Sequence, residues 1–244
     1  MLKYIKLLKC DGITQEIKLK PFTLFIDSFI PDIFKDIDNS FIHHKIFYLS
    51  SVRISNKSKK KKSLEFKCGE YGEYLFNYYL QNLKKLTFTN QTLEFIVSYW
   101  YKRIMESECN THISKMNIVE QSVLKIIILG LSVKKKDTII IENPELLLSP
   151  MQISKLVTFL VYLIQNDIQL IISTQYPDLV SKLRYCVYKN KKLENSIIIY
   201  NKINNKLKSI YINKRGKFVN KKGELQEFPK GFFDSILSEL LEIN

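Results

Sequence analysis

The chain has 244 residues, ample for one buried core or two lobes, and its 38 Lys and Arg against 24 Asp and Glu give a formal charge of +14. That charge asks for an anionic partner, although the bias to Lys, Ile and Asn also fits genome composition, and Lys far outnumbers Arg, the better reader of bases. The longest apolar runs, residues 126–133 and 156–164, are too short to span a bilayer. The N-terminus lacks an apolar signal region, so the expectation is a cytoplasmic chain. Cys10, Cys68, Cys109 and Cys186 form no CxxC pair, and His43, His44 and His112 are too sparse for a metal box, which argues against zinc.

In chain order, residues 1–26 read as a β-hairpin-like start and 27–40 as a short segment, a turn and helix whose Phe29, Ile30, Ile33 and Phe34 face the core. Residues 45–53 read as a strand, and 54–72 as an irregular basic linker carrying KSKKKK at 57–62. Helices are expected at 73–85 and 91–105, the second amphipathic around Leu93, Ile96, Val97, Trp100 and Ile104, and a buried helix at 120–131. A strand at 138–141, a helix at 152–165 and a strand around 170–172 follow. Residues 178–183 suit a helical turn, 196–200 and 206–212 a β-pair, and 232–241 a terminal helix. No heptads or internal repeats occur.

The stretch DTIIIENPE at 137–145 is the most informative in the chain. A short apolar run without alternation suits a parallel strand covered on both faces. It stops at Glu142, Asn143, Pro144 and Glu145, where α/β sheets bind ligands. About 20 residues on, IQLIISTQYPD at 168–178 repeats the design, with Ile153, Leu156, Val157, Leu160, Leu163 and Ile164 at helical spacing between. Strand, crossover helix and strand put both polar ends on one edge of a sheet. The plainer alternative for 137–145 is a buried strand that ends in a solvated turn.

These segments resemble the OLD-like, ABC-type ATPases whose C-terminal part is the domain of unknown function DUF3696. The family's Walker B strand reads hhIENPEaHLHP and its next strand ends in ETHSD; here stand IIIENPELLLSP at 139–150 and IISTQYPD at 171–178. The tail GELQEFPKGFFD at 223–234 is similar to G-x-L-x-x-W-P-x-G-F-F-D, with Phe228 for Trp. YLSSVR at 48–53 resembles YLS-x-x-R, GEYGEY at 69–74 resembles GxxGEY, and residues 5–26 resemble the opening hairpin that ends in PFTLFI. The resemblance implies a P-loop NTPase-like α/β fold, a mixed sheet with flanking helices and an N-terminal β-hairpin. It implies one domain over 1–244: an N-terminal lobe (1–53), a basic linker and helical insert (54–115), a Walker B core (116–200) and a tail (201–244).

The departures point away from hydrolysis. After PFTLFI the family has GxxxxGKS, and this chain has DSFIPDIFK at 27–35, with no glycine between Gly12 and Gly69. A phosphate cradle needs glycines, converging N–H groups, a lysine and a Mg²⁺-binding hydroxyl. Asp27 and Asp32 put negative charge where the triphosphate would sit, Pro31 removes an N–H, and Asp36 follows Lys35 where Ser or Thr belongs. Asp27, Ser28, Asp32 and Lys35 are therefore a degenerate nucleotide-binding segment. Gln175 stands for the switch histidine, and Leu147 and Ser149 for the two histidines of HLHP. Ser122 is the candidate signature serine, in a region without glycines. Glu142 is the candidate metal ligand at the Walker B position; Asn143, Glu145 and Gln175 are the remaining catalytic candidates.

Three functions stay open. One is a pseudo-ATPase, a structural or regulatory subunit that dimerises with itself or with a competent relative, in a prokaryotic DNA-linked or phage-defence setting. Another is an active ATPase with an atypical phosphate loop, which alone would use ATP and Mg²⁺. The third is a nucleic-acid-binding module contacting DNA or RNA phosphates through lysine clusters, with Lys59, Lys60, Lys61 and Lys62 as the candidates; a solvated loop accounts for that cluster equally. The other clusters are 134–136, 189–192 and 214–222. Most Tyr and Phe fall at core spacing, so no base-stacking platform is expected.

Overall fold

A computed structural model describes residues 4–7, 15–18, 20–26, 45–54, 68–109, 113–203 and 206–227 of the chain. The expected turn and helix at 27–40, the lysine run at 57–62 and the tail helix at 232–241 lie outside these residues.

Strands β1 (Tyr4–Leu7) and β2 (Gln15–Lys18) form an antiparallel pair of their own. The next strand, β3 (Phe22–Ile26), leaves that hairpin and enters the main sheet. The other members are β4 (Ile46–Leu49), β5 (Thr138–Glu142), β6 (Gln169–Thr174), β7 (Ile197–Ile203), β8 (Lys206–Ile212) and β9 (Phe218–Val219). Their order is β4-β5-β6-β3-β7-β8-β9. The first five run parallel, and β8 and β9 extend the sheet antiparallel. The fold class is α/β, with a mixed sheet, flanking helices and an N-terminal hairpin.

Every residue of β5 and β6 is buried, as their unbroken apolar runs predict for central parallel strands. The two are direct neighbours, Glu142 opposite Ser173. The expected parallel unit is therefore present, with its polar ends on one edge. Asp137 fixes the opposite edge: its carboxylate accepts from the Lys45 N–H (3.1 Å) and the Lys134 N–H (2.8 Å).

Among the described residues there are five α-helices: α1 (Leu75–Gln81), α2 (Leu93–Met105), α3 (Ile118–Ser132), α4 (Pro150–Gln165) and α5 (Pro177–Lys189). Their starts are chemically specified. Asn117 and Glu120 form a capping box on α3, and Ser149 and Gln152 form another on α4, with Pro150 in its first turn. Thr92 caps α2 by accepting from the Phe95 N–H. Helix α3 is buried on all sides from Ser122 through Leu131, apolar there apart from Ser122 and Lys125. It packs on α2, while α4 contacts α2, α5 and β6. None of the described helices is long and apolar enough to cross a membrane.

Three expectations need correction. The strand expected over 45–53 stops at Leu49 and passes into a 3-10 turn, Ser51–Ile54. The helical turn expected at 178–183 is the 13-residue helix α5, started by Pro177 and held by Leu179, Val180, Leu183 and Val187 on its buried face. The pair β7–β8 is present, but β7 also pairs in parallel with β3 and so belongs to the main sheet.

Candidate functional site

The carboxyl ends of the parallel strands bring together most of the described candidates. Strand β5 delivers Glu142 and the turn behind it, and β6 delivers Thr174 and Gln175. Strand β4 ends beside them with Ser50 and Ser51. Strand β3 reaches the same edge at Ile26, in register with Thr174, so the chain leaves toward residue 27 from this edge.

Glu142 is 9% exposed and faces protein donors. Its Oε2 accepts from the Ser51 N–H (3.1 Å), the Ser51 hydroxyl (3.3 Å) and the Ser50 hydroxyl (3.4 Å). The Tyr48 phenol joins them; burial first, and then its hydrogen bond to Glu142, push its pKa well above the usual value. A Mg²⁺ site needs oxygen ligands at its open positions. What surrounds Glu142 is the Ser51 N–H and the hydroxyls of Ser50, Ser51 and Tyr48. The Oε2 of Glu142 is thus held by donors of its own chain.

The turn after β5 is built on Asn143, at φ +41°. Its N–H donates to the Ser173 carbonyl (3.0 Å), and its side-chain oxygen accepts from the Ser173 hydroxyl (3.2 Å). Glu145 is fully buried. Its Oε1 accepts from the Thr174 hydroxyl (2.7 Å) and the Gln175 N–H (3.3 Å), while Oε2 has no hydrogen-bond partner. Burial raises the Glu145 pKa, opposed by these hydrogen bonds and by the nearby Arg53 charge. The Gln175 side chain itself is exposed.

The residue that organises the edge is Arg53, 1% exposed. Its Nη1 donates to the carbonyls of Glu142 (2.8 Å) and Ser50 (3.3 Å), and its Nη2 to the Asn143 carbonyl (2.8 Å). Its Nε donates to the Ser122 hydroxyl at 2.9 Å. A planar five-donor fork can make these bonds at once, and a lysine cannot. Burial lowers the Arg53 pKa to about 10, against the pull of Glu145 and Glu142. Lys125, one turn beyond Ser122 on α3, donates to the backbone carbonyls of Arg53 (2.6 Å) and Tyr71 (3.2 Å). Its pKa is lowered, first by burial and then by the Arg53 charge.

Ser122 therefore lies inside α3, 2% exposed and bonded to Arg53, one turn past the Asn117 cap. Ser149 caps α4, and Leu147, at φ +67°, is 53% exposed. Asp27, Ser28, Asp32, Lys35 and Lys59, Lys60, Lys61 and Lys62 fall outside the described residues. Arg53 ends the YLSSVR segment, whose pattern alone assigns it no role. The sequence marks it only as one of four arginines, shortly after Ser50 and Ser51.

No family model matches the chain. No curated protein matches it either. Solved structures with a similar chain path include three from ABC transporters. One is described as a metal-chelate type transporter in an inward-facing conformation, with TM-score 0.44 and 8% identity over 88% of this chain and 84% of that one. Another is an ATP-binding cassette in its ADP conformation, with TM-score 0.38 and 11% identity over 83% and 85%. The third is a nucleotide-free ATP-binding cassette, with TM-score 0.37 and 10% identity over 84% and 87%. Similarity at that level says nothing of chemistry, which has to come from this chain's own residues.

Proposed function

We propose that the chain is a degenerate ATPase of the OLD-like, ABC-type kind that no longer hydrolyses nucleotide. It serves as a structural or regulatory subunit, paired with a second copy or with a competent relative, in a prokaryotic DNA-linked or phage-defence setting. The observation that supports this most is the state of Glu142. The carboxylate at the Walker B position is engaged by Tyr48, Ser50 and Ser51, and the turn behind it is held by Arg53. The glycine-free segment that follows β3 supports it from the sequence side.

The test is purified protein with labelled ATP and Mg²⁺, scored for retention in equilibrium dialysis and for phosphate release, with sedimentation of the protein alone and mixed with an active relative. The expected result is no retention, no turnover and a dimer in one of the two sedimentation experiments. Turnover that Glu142→Gln abolishes in a folded protein would return the chain to the active ATPases.

A further inference from the structure

We propose that the outer face of α5, with the 3-10 turn after it and the β8–β9 turn, is a binding surface for single-stranded nucleic acid. It lies apart from the strand-end site and does not depend on the pseudo-ATPase reading.

The surface is assembled by specific contacts. Arg184 on α5 donates through Nε to the Gly216 carbonyl (2.8 Å), and its guanidinium lies over the Phe218 ring, 4.6 Å from the centroid. Gly216, at φ +70°, sits so close to the helix that an added Cβ would be 3.1 Å from the Arg184 carbonyl oxygen and 3.4 Å from Tyr188 Cβ. Asn213 Oδ1 accepts from the N–H groups of Arg215 and Lys217, both at 3.0 Å, which fixes the turn. The 3-10 turn Lys191–Ser196 is tied in through Glu194, which accepts from the Lys214 N–H (3.1 Å) and lies 3.9 Å from Lys214 Nζ.

These ties bring two lysine clusters that are distant in sequence onto one face. Lys189, Lys191 and Lys192 are exposed on one side, and Lys214, Arg215 and Lys217 on the other. Across residues 182–196 and 213–217 the one carboxylate is Glu194, already beside Lys214. Such a face repels itself until an anion arrives. Tyr185 and Tyr188 stand among these cations, 50% and 56% exposed, with Lys189 Nζ 5.6 Å and 5.9 Å from their ring centroids. Most Tyr and Phe are expected at core spacing; Tyr185 and Tyr188 are exceptions.

Cations next to exposed rings match the two halves of a nucleotide, phosphate and base. Rings on a surface can stack only on bases that are unpaired, which selects single strands over duplexes. Lysines acting as point charges read no sequence, so binding should be sequence-tolerant.

The full-length protein is titrated into a labelled 20-nucleotide oligo-dT and followed by fluorescence anisotropy from low to moderate salt, with the matching duplex and polyglutamate as competitors. Three variants are compared with it: Lys189→Gln/Lys192→Gln/Lys217→Gln, Tyr188→Ala, and a control of equal charge, Lys84→Gln/Lys85→Gln/Lys102→Gln, in the α1–α2 segment. The first should weaken binding at least tenfold and make the log–log salt slope shallower by about 2, since each phosphate of a single strand that a lysine neutralises adds roughly 0.7 to that slope. Tyr188→Ala keeps the Cβ that packs on Gly216 and should weaken binding about fivefold or more with the slope unchanged, because a stacked base is lost. The control should bind like the wild type. The proposal is overturned by absence of binding at low salt, or by equal losses in patch and control variants. It is also overturned if polyglutamate competes as well as the oligonucleotide while Tyr188→Ala has no effect, which would make the face an acceptor of acidic peptides.

Discussion

The Nη2 of Arg53 donates to the carbonyl oxygen of Asn143 across 2.8 Å, tying the turn that follows β4 to the left-handed residue that ends β5. The same guanidinium holds the Glu142 and Ser50 carbonyls and the Ser122 hydroxyl. One side chain thus couples two strand ends and the buried helix α3. Its charge is kept in a site with little solvent because four acceptors replace its water.

Replacing Arg53 by Met should therefore be among the most destabilising single changes in the chain. It leaves several buried acceptors without donors at about 1–3 kcal/mol each, so a total loss of at least about 3 kcal/mol is expected. Arg53→Lys should recover only part of this, since an ammonium cannot span the same acceptors. Urea unfolding followed by the single tryptophan reads this directly: Trp100 is buried against Phe159 and Tyr162 and changes environment when α2 and α4 separate. A midpoint for Arg53→Met equal to that of the wild type would show that Arg53 does not organise the edge.

Glu142→Gln separates a structural carboxylate from a catalytic one. The amide oxygen can still accept from Ser51, but a charge-assisted bond becomes a neutral one, for a loss of about 1 kcal/mol. The variant should fold as the wild type does. A folded variant that loses all biological activity would contradict this and restore a role for the carboxylate in holding a cation.

Much of this edge was legible in the sequence, and the reasons differ by residue. Strands β5 and β6 are short apolar runs that stop at polar groups, a pattern that suits doubly covered parallel strands, and the helical spacing between them made their common edge legible. Helix α4 announced itself through the Ser149 and Gln152 box and Pro150. The length of α5 was hidden because its outward face is polar and aromatic, and its mean apolarity is low although Leu179, Val180, Leu183 and Val187 keep helical spacing. The Arg53 network could not be read: three of its four acceptors are backbone carbonyls, two of them 89 and 90 positions away, and carbonyls leave no mark on side-chain identity. The facing of the two lysine clusters across Gly216 is likewise a matter of tertiary contact, not of spacing.

Glu145 predicts a pH dependence. Burial raises its folded pKa above the ordinary 4.5, so between 4.5 and the raised value the folded state binds more protons than the unfolded one. Its contribution to stability is therefore full below 4.5 and is lost as pH rises through the folded value. Glu145→Gln stays neutral throughout and keeps an oxygen for Thr174 and the Gln175 N–H. The stability of the variant relative to wild type should accordingly grow more favourable from pH 4.5 to pH 7.5, measured as urea midpoints at each pH. A difference that is flat across that range would mean that Glu145 binds protons equally in the folded and unfolded states.

Leu147 carries a cost that a different residue would remove. It sits at φ +67° with 53% of its surface exposed, so it gains little from burial while occupying a backbone region that disfavours a side chain of its kind. Asparagine tolerates that region and, unlike glycine, does not loosen the unfolded chain. Leu147→Asn should thus raise stability by up to about 1 kcal/mol, seen as a higher urea midpoint with an unchanged slope. If the exposed leucine at the strand-end edge instead belongs to the surface that meets a partner subunit, the same variant should gain stability as an isolated chain and lose affinity in sedimentation with that partner. A lower midpoint for the isolated chain would show that Leu147 contributes packing that outweighs its backbone strain.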